Sequence, residues 1–188
     1  MRWSVAVTAD FFLAPLAMSR AWAMPDANTF SVPPIRALIS RHLTDGVWLD
    51  PFSRASPFAL RCVTNDLNPA FHADYHEEAA DFLSRFDRAS VDGVLFDPPY
   101  SPRQISEAYK GVGRVVHGED TTSAFYGERK RLAARSIKVG GKALCFGWNS
   151  GGFGKSNGFR LVEVLIVAHG GAHNDTICTV EIKETEPQ

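Results

Sequence analysis

Apolar residues along this chain fall into short runs, several of them closed by an acid. Gly46 to Asp50 (GVWLD), Arg61 to Asp66 (RCVTND) and Val91 to Phe96 (VDGVLF) each have the length of a strand. Their closing acids are Asp50, Asp66 and, one residue past Phe96, Asp97. Near-continuous apolar runs of this length predict strands buried on both faces rather than half-exposed ones. Lys142 to Phe146 predicts another strand, and Ala73 to His76 a short one. Arg160 to Ala168 and Thr176 to Ile182 read as two longer strands joined by His169 to Asp175, which predicts a terminal hairpin. Between the strands the periodicity turns helical. Pro33-Pro34 opens a helix running to about His42, because proline is tolerated in a first turn. Ser53 to Leu60 fits a connecting helix, and a further helix ends near Phe86. Ile105 to Ile137 is helical at both ends around Gly111, Gly113 and Gly118, and Gly147 to Gly158 forms a glycine-rich loop.

Strands alternating with helices predict an α/β fold: a mostly parallel, Rossmann-like sheet with helices on both faces and a C-terminal antiparallel hairpin. Such sheets bind ligands beyond the carboxyl ends of their strands. Three acids converge there, which makes that rim the place to look for chemistry.

Composition narrows the field. The chain has 188 residues, 45% hydrophobic, 22% charged and 11% aromatic, so it is a single folded domain and neither a disordered nor a fibrous chain. Twenty basic and twenty-one acidic residues give a formal charge of −1, which excludes a polybasic nucleic-acid binder. Charge is unevenly spread, however. Residues 1–100 hold eight basic and twelve acidic side chains, whereas residues 101–139 hold eight basic and four acidic ones. Cys62, Cys145 and Cys178 are widely spaced within apolar stretches and form no C-x-x-C pair. They read as buried thiols of a reducing, cytoplasmic compartment. His169 and His173 lack a carboxylate or cysteine at ligand spacing, so no metal is expected. Residues 1–23 read as an N-terminal extension to a single domain over 24–188, because Asp10 and Pro15 interrupt an otherwise signal-like run. No stretch has the length of a membrane span.

The most specific signal is Asp97-Pro98-Pro99-Tyr100 after an apolar strand. Two prolines fix φ and remove two N–H groups, so the loop is stiff and offers carbonyls. A carboxylate beside a preset carbonyl accepts both hydrogens of an exocyclic amino group. That draws the nitrogen lone pair out of ring conjugation, while a tyrosine face stacks on a nucleobase.

With these residues in view, the chain resembles the amino-group DNA methyltransferases of adenine-N6 type, particularly the small phage and prophage enzymes. Asp97, Pro98, Pro99 and Tyr100 match the catalytic motif. LDPFS at Leu49 to Ser53 is similar to the cofactor motif, NDLNP at Asn65 to Pro69 to the ribose-binding acid motif, and TFSVPPI at Thr29 to Ile35 to the upstream motif at the methionine end. The resemblance implies S-adenosylmethionine as cofactor, with Asp50 the acid of the cofactor motif, Phe52 and Ser53 beside the methionine moiety and Phe30 closing that end. Asp66 would take the ribose hydroxyls, Leu67 would pack on the adenine, and Glu78 or Asp81 would accept from its amino group. It further implies DNA as partner, contacted by Arg103, Lys110 and Arg114 of the basic segment. Two departures stand out. The family's F-x-G-x-G reads Phe52-Ser53-Arg54-Ala55-Ser56 here, and no target-recognition domain is visible. The second implies a short recognition sequence, a homodimer or a separate recognition subunit. The alternatives are a cytosine-N4 or RNA-base acceptor, or a noncatalytic cofactor- or DNA-binding subunit.

Overall fold

The computed structural model describes residues 15–99, 109, 113, 123–171 and 173–186. Their strands form one sheet: β1 (Ala17–Trp22), β2 (Trp48–Asp50), β3 (Val63–Thr64), β4 (Val91–Phe96), β5 (Ile137–Gly147), β6 (Phe159–Ala168) and β7 (Thr176–Lys183). Its order is β1-β6-β7-β5-β4-β2-β3. The pairs β5·β4, β4·β2, β2·β3 and β1·β6 are parallel, whereas β7 runs antiparallel to both of its neighbours. This is the mixed sheet with an antiparallel hairpin that the sequence predicts. Among the described residues, the α-helices α1 (Pro33–His42), α2 (Ala79–Ser84) and α3 (Ser123–Ser136) pack on it.

Strand alternation divides the core between two faces. Leu95, Leu144 and Phe146 point toward α1, where Ile35, Leu38 and Ile39 are buried with Phe30 and Phe58. Val94, Phe96, Ala143 and Cys145 point the other way, toward Phe82 and Leu83 of α2 and Ala133 and Ala134 of α3. Each fully buried large apolar side chain contributes about 1.5–3 kcal/mol, so both layers are needed to hold the sheet. Trp48 crosses the sheet directly over Gly93. A Cβ at Gly93 would lie 2.5 Å from the indole, so the strand has room only for glycine there. Gly93→Ala should therefore lower unfolding stability by about 1–3 kcal/mol in urea denaturation, with the slope of the transition unchanged.

The structure redraws several elements. Ser53 to Leu60 is not a helix: apart from a single 3-10 turn at Ala59–Arg61 it is irregular. Pro57 interrupts it, and Phe58 is pulled into the core between the sheet and α1. Ala73 to His76 shrinks to one bridge between Tyr75 and Asn65, because the Asp74 carboxylate is used by Thr64, accepting from its N–H and its hydroxyl at 2.8 Å each. These bonds hold the Asp74 carboxyl below its usual range. The helix ending near Phe86 is confined to Ala79–Ser84. In the other direction, Ala17–Trp22, within the segment read as an extension, forms an edge strand on β6. His169 fastens it, with one ring nitrogen 2.8 Å from the Ala23 carbonyl and the other 2.9 Å from the Thr176 hydroxyl. Cys145 and Cys178 are buried and Cys62 is partly buried; none forms a disulfide, and burial pushes the Cys62 thiol up to about 12. Among the described residues no helix is long and apolar enough to cross a membrane.

Candidate active site

The chain passes from β2 to β3 on one side and then to β4 on the other. The carboxyl ends of β2 and β4 therefore meet at the point where strand order reverses, where open α/β sheets bind ligands. A cavity of about 500 Å³ opens there. Its walls carry Phe30, Phe52, Ser53, Asp66, Leu67, Glu78, Asp97, Pro98 and Pro99, so residues from four separate motifs share one space. An adjoining groove of about 730 Å³ shares Leu67, Glu77 and Glu78 with it and adds His76, Asp81 and Arg85. Tyr100, Arg103, Lys110 and Arg114 lie outside the described residues.

Asp50 ends β2 beneath this cavity and is fully buried. Burial pushes its carboxyl up to about 8; the charges of Asp97 and Asp66 push the same way. The Ser56 hydroxyl and Phe52 amide draw it down somewhat, yet neither bonds with good geometry, and both carboxyl oxygens lack a hydrogen-bond partner among the described residues. The Ser53 hydroxyl is likewise buried without one. A buried polar group left this way costs about 1–3 kcal/mol, which a bound polar ligand would remove.

The loop after β2 solves the missing-glycine problem by an unusual route. Arg54 occupies the place of the first glycine and adopts φ +42°, in the left-handed region glycine favours. Its N–H donates to Asp66 at 2.8 Å, while the other Asp66 oxygen accepts from the Asn68 N–H at 2.8 Å. The Arg54 guanidinium stacks over Phe71, 5.4 Å from the ring centre, at the mouth of the cavity. The left-handed turn is thus made without a glycine, with some backbone strain. Arg54→Gly should leave thermal stability nearly unchanged, relieved strain offsetting the lost stacking. Arg54→Ala keeps the strain, loses the stacking, and should be less stable than the glycine variant by about 1 kcal/mol.

Further residues outside the sequence-level candidates shape the site. Asn65 donates its amide to the Pro51 and Glu77 carbonyls at 3.1 Å each and accepts from the Glu77 N–H at 3.0 Å, joining the loops on either side of the cavity. Tyr126, on α3, donates its hydroxyl to the Pro99 carbonyl. Glu181 on β7 accepts from the Phe153 and Gly154 N–H groups and fixes the loop that carries Trp148; Lys130 on α3 donates to the Gly152 carbonyl of the same loop. Trp148 and Thr176 line the cavity opposite the β2 loop. An apolar flanking strand hides Glu181, but the NDLNP motif itself pointed to Asn65.

The basic segment divides. Arg129 is buried against Glu78, Arg135 donates to the Phe86 carbonyl at 2.8 Å, and Lys138 pairs with Asp92 at 2.8 Å. Arg131 is exposed. Much of the described positive charge is thus committed within the protein.

No protein-family model matches the chain, nor does any curated protein. Solved structures do. TrmN from Thermus thermophilus superposes with a TM-score of 0.55 at 18% identity, covering 81% of this chain and 49% of its own. A 1,6-didemethyltoxoflavin-N1-methyltransferase from Burkholderia thailandensis, with bound 1,6-didemethyltoxoflavin and S-adenosylhomocysteine, gives 0.55 at 12% identity over 81% and 77%. The N-methyltransferase NodS from Bradyrhizobium japonicum WM9 gives 0.54 at 11% identity over 86% and 100%. The chain thus spans about half the length of TrmN and the whole of NodS. The architecture these comparisons define is the Rossmann-like methyltransferase fold.

Proposed function

We propose that the protein transfers a methyl group from S-adenosylmethionine to the N6 amino group of adenine in DNA. The observation that carries this reading is the joint occupation of one cavity by Asp97-Pro98-Pro99 and by Phe30, Phe52, Ser53, Asp66 and Leu67. The residues fit the cofactor. Asp50 and Ser53 offer buried polar atoms awaiting a partner, Asp66 lines the cavity and would take the ribose hydroxyls, and Phe30 and Phe52 supply apolar walls. When bound, the cofactor supplies a methyl group made electrophilic by its sulfonium.

The protein's part is placement. Asp97 and the Pro98 carbonyl accept the two hydrogens of the amino group, which turns the nitrogen lone pair toward the methyl carbon. As the methyl group passed from sulfur to nitrogen, the carboxylate of Asp97 would offset the positive charge growing on the nitrogen and take up the hydrogen-bonded proton that the methylated amine must release, passing it on to solvent. Tyr126 keeps the loop from shifting by holding the next carbonyl, that of Pro99. The target base would be flipped from the duplex and stacked on Tyr100, with Arg103, Lys110 and Arg114 on the phosphates and a second copy or recognition subunit completing sequence readout.

The test is incubation with cofactor labelled in its methyl group and with adenine-containing DNA, cytosine-containing DNA and RNA oligonucleotides, followed by digestion and identification of nucleosides. Labelled N6-methyladenine from DNA is the expected product. Label in N4-methylcytosine or in RNA would move the acceptor, and no methylated nucleoside from any substrate would leave a noncatalytic cofactor-binding subunit.

A further inference from the structure

Glu78 has the position of a cofactor ligand but the bonding of something else. It immediately precedes α2 and lines both the central cavity and the outer groove. Its carboxylate nevertheless accepts from the Tyr109 hydroxyl at 3.1 Å and from the Arg129 guanidinium at 3.4 Å. Both donors are buried, at 7% and 6% exposure, so these bonds form in a setting where charge–dipole interactions are only weakly screened. Both also lie C-terminal to the catalytic tetrapeptide in the chain.

Helix α3 explains why this matters. Arg129 and Tyr126 are three residues apart and so lie on one side of the helix. Arg129 reaches Glu78, and Tyr126 reaches the Pro99 carbonyl. The helix is therefore tied at one turn to the cofactor-side loop and at the adjacent turn to the loop that carries Asp97 and Pro98.

We infer that Glu78 is a positioning residue for the methyl-acceptor loop, acting through Arg129 and Tyr126 of α3, and that Asp81 is the carboxylate that recognises the cofactor's adenine amino group. This deepens the proposed methyl-transfer reading and rests on it. Asp81 lies on the first turn of α2, exposed in the outer groove beside Leu67, the residue placed against the adenine. The two acids that the sequence left as alternatives thus have different tasks, although both line the outer groove at the start of α2.

The experiment compares Glu78→Gln, Glu78→Asp, Tyr126→Phe, the double variant Glu78→Gln/Tyr126→Phe and Asp81→Asn. Glu78→Gln keeps the side chain's shape, so the fold is expected to survive. Two readouts are taken: the rise in Tm and the calorimetric Kd on adding S-adenosylhomocysteine, and single-turnover methylation of an adenine-containing DNA duplex at saturating cofactor. Glu78→Gln should keep the ligand-induced rise in Tm and a Kd within about threefold of wild type, while its single-turnover rate falls by at least about tenfold. Glu78→Asp should recover part of that rate. Tyr126→Phe should show the same pattern, and the double variant should lose less than the product of the two, as expected for linked parts of one network. Asp81→Asn should weaken the Kd by about tenfold.

A Glu78→Gln protein that loses the ligand-induced rise in Tm, yet methylates at the wild-type rate once saturated, would overturn the inference and restore Glu78 as the adenine acceptor. If wild-type protein methylates no oligonucleotide, the acceptor reading fails by itself, and the binding arm still decides this one. Retained affinity in Glu78→Gln together with non-additive Tm losses for the double variant supports it, and lost affinity overturns it.

Discussion

Asp97→Ala should abolish methyl transfer, by about a thousandfold or more, while the protein still binds S-adenosylmethionine. The carboxylate sits at the carboxyl end of β4 on the wall of the central cavity, held by a strand whose flanking residues Leu95 and Phe96 are fully buried on opposite faces. Removing it takes away the carboxylate proposed to accept a hydrogen from the amine and to offset charge developing on nitrogen. The groups assigned to the cofactor, Asp66, Ser53, Phe30 and Phe52, are carried by other elements and stay in place. Asp97→Asn should be nearly as inactive, since the amide restores the shape but puts a donor where an acceptor is needed. Calorimetry with S-adenosylmethionine and a single-turnover rate on duplex DNA read the two effects separately. Activity retained in Asp97→Ala, or cofactor binding lost with it, would contradict the assignment.

The second large effect is on pH. The folded protein holds the Asp50 carboxyl at about 8, against an ordinary value of 3.8. Below the ordinary value both folded and unfolded chains are protonated there, and Asp50 imposes no penalty. As pH rises toward 8 the unfolded chain releases this proton while the folded chain keeps it, so cofactor-free stability falls, by up to about 1.4 kcal/mol per pH unit. Above about 8 both are ionised and the loss levels off. A cofactor bearing an ammonium and a sulfonium reverses the local balance, because nearby positive charge favours the ionised carboxylate. Binding should then release a proton, and affinity should climb with pH up to about 8, by as much as tenfold per unit. Calorimetry in buffers of different ionisation enthalpy measures the released proton directly. Asp50→Asn should flatten both the stability and the affinity profiles; an unchanged affinity profile in that variant would show that Asp50 is not the group responding.

The parts of this molecule legible in its sequence are those where one physical demand dominates. Strands β2, β4, β6 and β7 and helix α1 announce themselves because a buried strand must be apolar and a proline pair must open a helix. The acids Asp50, Asp66 and Asp97 mark strand ends because a charge cannot continue into the core. Ser53 to Leu60 misleads because its helix-compatible composition is overruled by two remote demands, the burial of Phe58 and the hydrogen bond from the Arg54 N–H to Asp66. Strand β1 is invisible for the opposite reason. It lies at the sheet edge, almost wholly exposed, so no buried face imposes a period on Ala17–Trp22. At the site, the motif residues could be read from the chain, but Tyr126, Glu181 and the true company of Glu78 could not. Each acts by a contact between residues more than 25 apart in sequence, and nothing local in the chain encodes it.

The place of β7 in the sheet has a consequence for how the protein assembles. It is the last strand in the chain order described, yet it lies between β5 and β6 and supplies the pairing that joins β6 and β1 to the rest. A growing chain on the ribosome that has not yet exposed residues 176–183 carries two separate sheet fragments, each with an open apolar edge. The fold is therefore completed late and all at once, through contacts remote in sequence, which makes for slow folding and a window of stickiness before the final strand slots home. Lys183, at the end of that strand, donates to the Ala134 and Ile137 carbonyls at 2.9 and 2.7 Å. The same late event thus fastens the end of the helix that carries Tyr126 and Arg129, so the placing of those two side chains and the completion of folding arrive together.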